Sequence, residues 1–348
     1  MNILKKNIAN GLGTVIAIII SLIIGSLFIA VIGKNPYIVY LKLFIDTLGN
    51  TYGIGQVLFK ATPLILTGLS VAIAFKAGLF NIGAEGQMNI GAFATAWAGF
   101  TFESLPWYFL IPLSIIAGFI GGAFWASIAG VLKARFGSHE VINTIMLNFI
   151  ALALVSYFVN NVYFVPATIH TPEISQNAYL QRFDALTGLF KGSPFNISFI
   201  AALLACLAMY YLIWKTPLGY EINTMGLNKN AAKYAKMDIK KLTVLSMAIA
   251  GGIAGLGGLN FVNGYKHYFE LGFSENAGYI GIAVALIARN NPFGIIIVSM
   301  FFGILEYGGL AINTIVPKEI VTILQGIIIL TVITLSRIFD WETLKSTK

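Results

Sequence analysis

Long apolar runs alternate with short polar segments along almost the whole chain. An apolar run of about 20 residues is long enough to cross a bilayer as a helix, and about ten such runs can be distinguished. The predicted spans are residues 11–32, 61–77, 88–102, 107–132, 142–164, 196–214, 242–262, 277–289, 293–313 and 319–337. The pattern therefore predicts an all-α, polytopic membrane helical bundle, with residues 1–348 forming a single transmembrane domain.

Composition agrees with a membrane protein. Hydrophobic residues make up 57% of the 348 residues and charged residues only 10%, whereas soluble domains carry about 25% charged residues. The one cysteine, Cys206, lies inside an apolar run, which excludes disulfides and thiolate metal clusters within the chain. The first apolar run follows Lys5 and Lys6 but exceeds the apolar core of a signal peptide, so we expect a retained first span.

The positive charges predict an orientation. The net charge of +8 is carried by short loops between apolar runs, which argues against nucleic acid as a partner. With both termini in the cytoplasm, ten spans place 15 of the 22 Lys and Arg residues inside and 7 outside, as the positive-inside rule requires. We expect a multi-pass protein of the cell membrane, with an inner loop at about 215–241 and an outer loop at about 165–196.

The segment Phe80–Gln87 interrupts two apolar runs with polar residues and glycine. Irregular backbone at membrane depth persists only where protein or a water-filled path covers it, and an ionisable residue there indicates a functional site. Asn81 and Glu85 are four residues apart, so a continued helix would place them on one face, whereas a bend at Gly83 would turn both toward a pore. We predict a broken or re-entrant segment near 78–88 that lines a solute path.

Glu85 allows several interpretations. It could be a proton-coupled carboxylate, a solute ligand or a structural partner of Lys76. Glu306, inside the ninth apolar run, raises the same question, and two intramembrane acids are what a self-contained ion-coupled carrier would need. A membrane scaffold whose polar breaks only hold helices together is a further alternative.

An internal echo accompanies the break. Phe80-Asn81-x-Gly83 resembles Phe273-x-x-Asn276-x-Gly278, and each motif opens an apolar run. Internal repeats are common in transporters, so the echo is a weak indication of one.

The inner loop contains a short candidate helix in the sequence GLNKNAAKYAKMDIKK, beginning at Gly226. Asn228 or Asn230 can cap it, because a short side-chain oxygen accepts from free backbone N–H groups. A small, close-packing face would consist of Ala231, Ala232 and Ala235, with Tyr234 beside it. Such a helix would present this face to a soluble partner, or its lysines would hold the loop near anionic lipid.

Motifs for metal or nucleotide binding are missing from the sequence. His139-Glu140 begins like a zinc-protease helix, but Asn143 stands where the second histidine is required. The glycine-rich Gly251–Gly258 lacks the lysine and hydroxyl of a phosphate-binding loop, so we expect it to pack helices closely. We therefore expect no metal, no cofactor and no enzymatic activity, and any ATP would be bound by another polypeptide.

Four sequence motifs indicate a family resemblance. They are Lys76-Ala-Gly-Leu-Phe-Asn-Ile-Gly-Ala-Glu-Gly-Gln87, Glu140-Val-Ile-Asn-Thr-Ile-Met-Leu-Asn148, Gly226-x-Asn228-x-x-Ala231-Ala232-x-Tyr234-Ala235, and Tyr279-Ile-Gly-Ile-Ala-Val-Ala-Leu-Ile-Ala288 followed by Asn291-Pro-Phe-Gly294. In this order they resemble permease subunits of ABC importers for nucleosides and simple sugars, in the branched-chain amino acid/ribose-type permease superfamily. The motif FNIGAEGQ, at Phe80–Gln87, is more similar to the nucleoside branch of this family than to the ribose branch.

The resemblance implies a transport subunit with three partners. These would be an ABC ATPase, a second permease of similar fold, and an extracellular substrate-binding lipoprotein or periplasmic protein. The implied coupling residues are Gly226, Asn228, Ala231, Ala232, Tyr234 and Ala235. Where the family often has Tyr-Ala-Gly-Ile, this chain has Lys236 in place of the glycine. The expected solute path consists of Phe80, Asn81, Glu85, Gln87 and Asn148, which offer the amide, carboxylate and aromatic groups that a nucleoside needs.

Overall fold

The computed structural model describes residue 16 and residues 19–345, with the side chains of 333 and 335–345 left out. The helices are α1 (Ile19–Val31), α2 (Pro36–Leu48), α3 (Thr51–Lys76), α4 (Ala84–Thr101), α5 (Trp107–Phe136), α6 (Glu140–Tyr157), α7 (Phe183–Thr187), α8 (Ser198–Lys215), α9 (Pro217–Leu227), α10 (Lys229–Tyr234), α11 (Ile239–Gly255), α12 (Gly258–Phe261), α13 (Ala277–Ile287), α14 (Pro292–Ala311) and α15 (Lys318–Lys345). Single π-helical turns extend α6 to Val162 and α12 to Lys266. In this part of the chain, β-structure is limited to two isolated bridges.

The all-α membrane bundle predicted from the sequence is confirmed. A helix coincides with each of the ten predicted spans, although the first span, 11–32, lies partly outside the described residues. Among the described residues, six helical stretches are long and apolar enough to cross a membrane: α3, α5, α6 with its π-turn, α8, α11 through Lys266, and α14. The pair α1 and α2, bent by 115°, would make a seventh. The count of about ten is therefore approximate.

Two helices fall short of a full span in an informative way. α13 has 11 residues, hence a length of about 16 Å, roughly half of the ~30 Å hydrocarbon core. α4 has 18 residues, but its first two turns are rich in polar residues and glycine. Both begin after irregular backbone, as half-helices of transporters do.

The chain divides into two compact units, Leu58–Met300 and Met1–Val57 with Phe301–Lys348. In the described part of the first unit, α4, α5 and α11 pack closely through glycine. A Cβ added at Gly255 would lie 2.3 Å from the Gly118 carbonyl oxygen, and one at Gly122 would lie 2.2 Å from the Gly251 carbonyl oxygen. Only glycine permits such backbone approach, which confirms the packing role predicted for Gly251–Gly258.

The second unit contains α1, α2, residues 51–57 of α3, residues 301–311 of α14, and α15. An apolar cavity of about 100 Å³ lies among these helices, bordered by side chains such as Leu43, Phe301 and Leu324. Tyr40 is anchored here by a 2.9 Å hydrogen bond from its hydroxyl to the Leu22 carbonyl. The unit is thus held mainly by apolar contacts.

The outer loop predicted at about 165–196 is ordered against a second loop that follows α12. Backbone N–H groups of Thr171 and Ile174 donate to the carbonyls of Phe269 and His267 at 2.9 and 2.8 Å. The Tyr179 ring stacks on the His267 ring, with centroids 3.6 Å apart. These contacts bring the two loops together at one end of the first unit.

Candidate functional site

The break predicted near 78–88 lies between α3 and α4 but is shorter than predicted. Residues 77–83, here called the break, are not helical, whereas 84–88 already belong to α4. α3 ends at Lys76, and the N–H groups of Gly78 and Leu79 bond back to the carbonyls of Phe75 and Ala74 at 3.0 and 2.9 Å. This is a Schellman motif, and Gly78 takes the left-handed conformation it requires, with φ of +68°. The chain then runs without helix until Ala84.

Two amide side chains brace the break from within. Asn81 Nδ2 donates to Gln87 Oε1 and Gln87 Nε2 donates to Asn81 Oδ1, both at 2.9 Å. Asn81 Oδ1 also accepts from the Gly83 backbone N–H at 3.0 Å. Both side chains are buried, so each amide satisfies the other where water does not reach.

Asn148 of α6 ties the break to a neighbouring helix. Its Oδ1 accepts from the Gly86 N–H at 2.9 Å, and its Nδ2 donates to the Ile82 carbonyl at 3.0 Å. The same Nδ2 lies 3.2 Å from the Tyr279 hydroxyl of α13. One buried amide therefore holds backbone groups on both sides of the start of α4 and reaches α13.

Glu85 joins the first turn of α4 to the first turn of α13. Its Oε2 accepts from the Gly278 N–H at 2.8 Å, and its Oε1 accepts from the Ser274 hydroxyl. Only 5% of Glu85 is exposed. Two helix N-termini, whose free N–H groups favour a negative charge, thus meet at one carboxylate.

These contacts exclude one alternative for Glu85 and give the surroundings of both acids. Lys76 is not the partner of Glu85: its Nζ lies 5.0 Å from the centre of the Trp214 ring. Glu306 lies in the other compact unit, where its Oε1 accepts from Gln325 Nε2 at 3.0 Å. Asn81 and Glu85 share no helix face, because Asn81 precedes the start of α4.

The structure brings four of the five predicted solute-path residues into buried contacts around the start of α4. Asn81, Gln87 and Asn148 brace the break, and Glu85 points to α13. The fifth, Phe80, is half-buried, and its ring meets the Phe75 ring edge-on at 5.0 Å. We call Asn81, Glu85, Gln87 and Asn148, with their partners, the break network.

Sequence reasoning missed Ser274, Gly278 and Tyr279 as members of this network. The echo at Phe273-x-x-Asn276-x-Gly278 marked the right segment, and the two echoed segments meet through Glu85. However, Asn276 directly precedes α13, whereas Asn81 lies three residues before α4. The echo therefore identifies the two segments that meet. It does not align their residues relative to the starts of α4 and α13.

The predicted coupling residues lie on α9, α10 and the residues that flank α10. Asn228 caps α10, as expected, and its Oδ1 accepts from the Asn230 and Ala231 N–H groups at 2.9 and 3.1 Å. Leu227 and Tyr234 are 89% and 90% exposed. A leucine just before α10 and a tyrosine at its last position thus lack cover from the described residues.

The face of α10 differs from the one expected. Ala231 and Ala235 are exposed, but Ala232 is fully buried. The expected small face of three alanines is therefore wrong for Ala232, which anchors α10 inward. A helix of six residues is too short for a hydrophobic period to show which alanine turns inward.

Lys236 ends α10 in a conformation that favours glycine. Its φ is +58°, and the N–H groups of Lys236 and Met237 donate to the carbonyls of Lys233 and Ala232 at 3.0 and 3.1 Å. This is the Schellman arrangement again, here with a lysine at the left-handed position.

Among the side chains that the structure describes, His, Cys, Asp and Glu do not gather in groups of three or more that could hold a metal ion. The break network consists of amides, one carboxylate, hydroxyls and backbone groups. It offers hydrogen-bonding groups suited to an uncharged polar solute or to bracing helices.

Membrane-crossing helices around a buried polar break define a polytopic membrane protein with the architecture of a transport subunit. The chain belongs to the family described as branched-chain amino acid transport system / permease component, whose sequence model matches residues 53–333. The predicted family is therefore confirmed.

Individual relatives are similar over nearly their whole length. The nucleoside ABC transporter permease protein NupB of Lactococcus lactis subsp. cremoris is 39% identical, over 90% of this chain and 88% of that protein. The guanosine ABC transporter permease protein NupP of Bacillus subtilis is 38% identical, over 93% of both. The glucose ABC transporter permease protein TsgB13 of Haloferax volcanii is 32% identical, over 92% and 86%.

A second permease from the same Lactococcus strain, NupC, is also similar, at 26% identity over 72% of this chain and 80% of that protein. The relatives are ABC permease proteins, so they do not favour a self-contained ion-coupled carrier. The chain is a multi-pass membrane protein of the ABC permease class.

Proposed function

We propose that this chain is one permease subunit of an ATP-driven importer that moves nucleosides into the cell. The observation that carries the proposal is identity of 39% and 38%, over about nine-tenths of the chain, to permeases named for nucleosides and guanosine. The break network supports it, because its amide and carboxylate groups match the hydroxyl and amide groups of a nucleoside.

In this proposal the chain does no covalent chemistry. An ABC ATPase binds the exposed side of α10, formed by Ala231, Tyr234 and Ala235, and ATP-driven closure of that ATPase moves α10. Solute passes beside the break, where Phe80 offers an aromatic surface. The buried hydrogen bonds of the break network must then exchange partners during transport, because they are satisfied within the protein in the conformation described.

The proposed assembly needs a second permease to complete the path. Support comes from the pair NupB and NupC, two permease proteins of one bacterial strain that are both similar to this chain. An extracellular substrate-binding protein would deliver the solute to the outer loops. Both termini, α9 and α10 would face the cytoplasm.

A simple sugar is the second candidate solute. It is favoured by the 32% identity to a permease named for glucose. Nucleosides stand first because identity to the two permeases named for them is higher.

Uptake by the assembled transporter tests the proposal. The permease would be purified with its ATPase and second permease, reconstituted in proteoliposomes with its binding protein, and supplied with tritiated guanosine, adenosine or glucose. We expect ATP-dependent uptake of a nucleoside and none of glucose. Glucose uptake alone would transfer the assignment to sugars. Robust uptake by the single chain, driven by a proton or sodium gradient, would overturn the importer.

The orientation has its own test. Single cysteines at Lys229 and Gln176, on a Cys206→Ser background, should react with an impermeant thiol reagent from opposite sides of the membrane. Reaction of both from outside in sealed cells would contradict the orientation.

A further inference from the structure

The end of α3 and the end of α9 touch through backbone atoms. A Cβ added at Gly226 would lie 2.1 Å from the Lys76 carbonyl oxygen and 2.9 Å from the Gly78 nitrogen. A Cβ added at Gly78 would lie 3.0 Å from Gly226 Cα. Only glycine permits this approach, and Gly78 is also the left-handed residue of the Schellman motif that begins the break.

Both sides of this contact are held firmly. On one side, Gly219 packs α9 on the end of α8, because a Cβ there would lie 2.0 Å from the Leu212 carbonyl oxygen. Ile222 and Met225 of α9 are buried as well. On the other side, Lys76 rests over the Trp214 ring of α8 at 5.0 Å. Neither partner can move far without the other, since packed backbones resist compression.

The contact lies between two regions that the proposed function needs to link. Gly226 is two residues before Asn228, the cap of α10, and Gly78 is three residues before Asn81 of the break network. The route from α10 to the break is therefore shorter through this contact than along the chain, where the 145 residues 84–228 intervene.

We infer that Gly226 and Gly78 form a joint that transmits movement of α10 to the break. The two glycines are positioning residues, and Gly226 acts through Gly78 rather than by touching the ATPase. This inference rests on the proposed function for the docking of an ATPase, but it does not depend on which solute is carried.

The test places a reporter in the break and crowds the joint. A fluorescent thiol label on Ile82→Cys, in a Cys206→Ser background, reports the environment of the break in the complete complex, before and after incubation with ATP and vanadate, which traps the ATPase with ADP and vanadate. Gly226→Ala adds a methyl group at the joint. Gly122→Ala is the matched control, because its Cβ would be similarly crowded, 2.2 Å from the Gly251 carbonyl oxygen, but between α5 and α11.

We expect the nucleotide-dependent signal to fall at least fivefold in Gly226→Ala, while the ATPase still copurifies and hydrolyses ATP. The signal in Gly122→Ala should stay within twofold of the parent protein. Equal signals in the two variants would overturn the joint, and so would a parent complex that hydrolyses ATP without any change at the reporter. A parent complex that shows the change but transports no nucleoside would leave the joint standing and reject only the solute.

A milder variant decides the matter if Gly226→Ala fails to assemble. Asparagine tolerates left-handed backbone, so Gly78→Asn keeps the turn but crowds Gly226. Gly137→Asn is its control, because Gly137 has a φ of +67° and nothing within 4 Å of its added Cβ. Loss of the reporter signal in Gly78→Asn alone supports the joint, and equal behaviour of the two variants contradicts it.

Discussion

The break and the α9–α10 segment invert the usual relation between polarity and burial. At the break, Asn81, Glu85 and Gln87 are polar and buried. At α9–α10, Leu227 and Tyr234 are large, apolar or aromatic, and almost fully exposed. The first region satisfies its polar groups within the chain, whereas the second leaves apolar surface uncovered. This difference is what the proposed function requires: a break that rearranges internally and an α10 that contacts a partner.

The largest expected effect separates two neighbouring alanines of α10. Ala232→Glu would bury a carboxylate without a partner, at a cost of several kcal/mol, and should abolish stable folding or lower the melting temperature strongly. Ala231→Glu places the same side chain on the exposed face, so the melting temperature should remain near that of the wild type while the ATPase no longer copurifies. Equal stability of the two variants would contradict the inward orientation of Ala232.

Glu85→Gln tests the break, the other region of the comparison. The amide keeps the shape but loses charge-assisted hydrogen bonds to Ser274 and Gly278, and each such bond contributes about 1.5–3 kcal/mol. We expect transport to fall roughly tenfold to hundredfold, while the binding protein still captures solute. The measurement is initial uptake rate in proteoliposomes.

Ser274→Ala serves as a matched variant, because it removes one donor and leaves the carboxylate. Its loss of transport should be smaller than that of Glu85→Gln. If Glu85→Gln inserts stably and transports at the wild-type rate, the network is structural at that point, and the solute path must be sought elsewhere.

The same two regions show which features of the fold and the site can be predicted from the sequence. Apolar runs and turn residues are local signals, so they located helices at all ten predicted spans and the break before α4. Ser274 and Gly278 are 189 and 193 residues away from Glu85, and no local pattern records such contacts. The inward turn of Ala232 depends on how α9 and α11 hold α10, which is again a tertiary effect.

A smaller effect is expected at Lys236, where lysine occupies the left-handed position at the end of α10. A non-glycine residue in this conformation costs about 1–2 kcal/mol. Lys236→Gly should therefore raise thermal stability modestly. Lys233→Gly is the matched control inside the helix, where glycine is unfavourable by about 1 kcal/mol. A lower melting temperature for Lys236→Gly would show that the lysine side chain contributes more than the backbone strain.

The smallest expected effect concerns His267, a half-buried polar side chain in the loop that follows α12, outside the break network. Its Nδ1 has no hydrogen-bond partner among the described residues. Burial lowers the pKa of His267, and the charge of Arg182 acts in the same direction, while the charge of Glu173 and the Asn263 backbone act against it.

The folded protein disfavours the charged imidazole. The contribution of neutral His267 to folding stability is therefore fully present above the ordinary histidine pKa of about 6.5. That stability should decline as the pH falls through the lowered value. Melting temperatures between pH 7.5 and 5 should therefore fall less in His267→Phe, which keeps a ring against Tyr179. His170→Phe controls for replacing a second histidine ring, one stacked on Tyr268. If His267→Phe leaves the pH dependence of the melting temperature unchanged, another group is responsible for that dependence.

Docking of the ATPase on α10 is tested most directly by measuring whether the ATPase protects position 234 from labelling. A single cysteine at Tyr234, on the Cys206→Ser background, would be treated with an impermeant thiol reagent in inside-out vesicles, with the ATPase removed and then restored. A cysteine at Glu221, on α9, is the reference site. We predict rapid labelling without the ATPase and strong protection of position 234, relative to position 221, when the ATPase is bound. Equal labelling of position 234 in both states would contradict α10 as the docking surface, and with it the contrast between a self-satisfied break and an uncovered partner site.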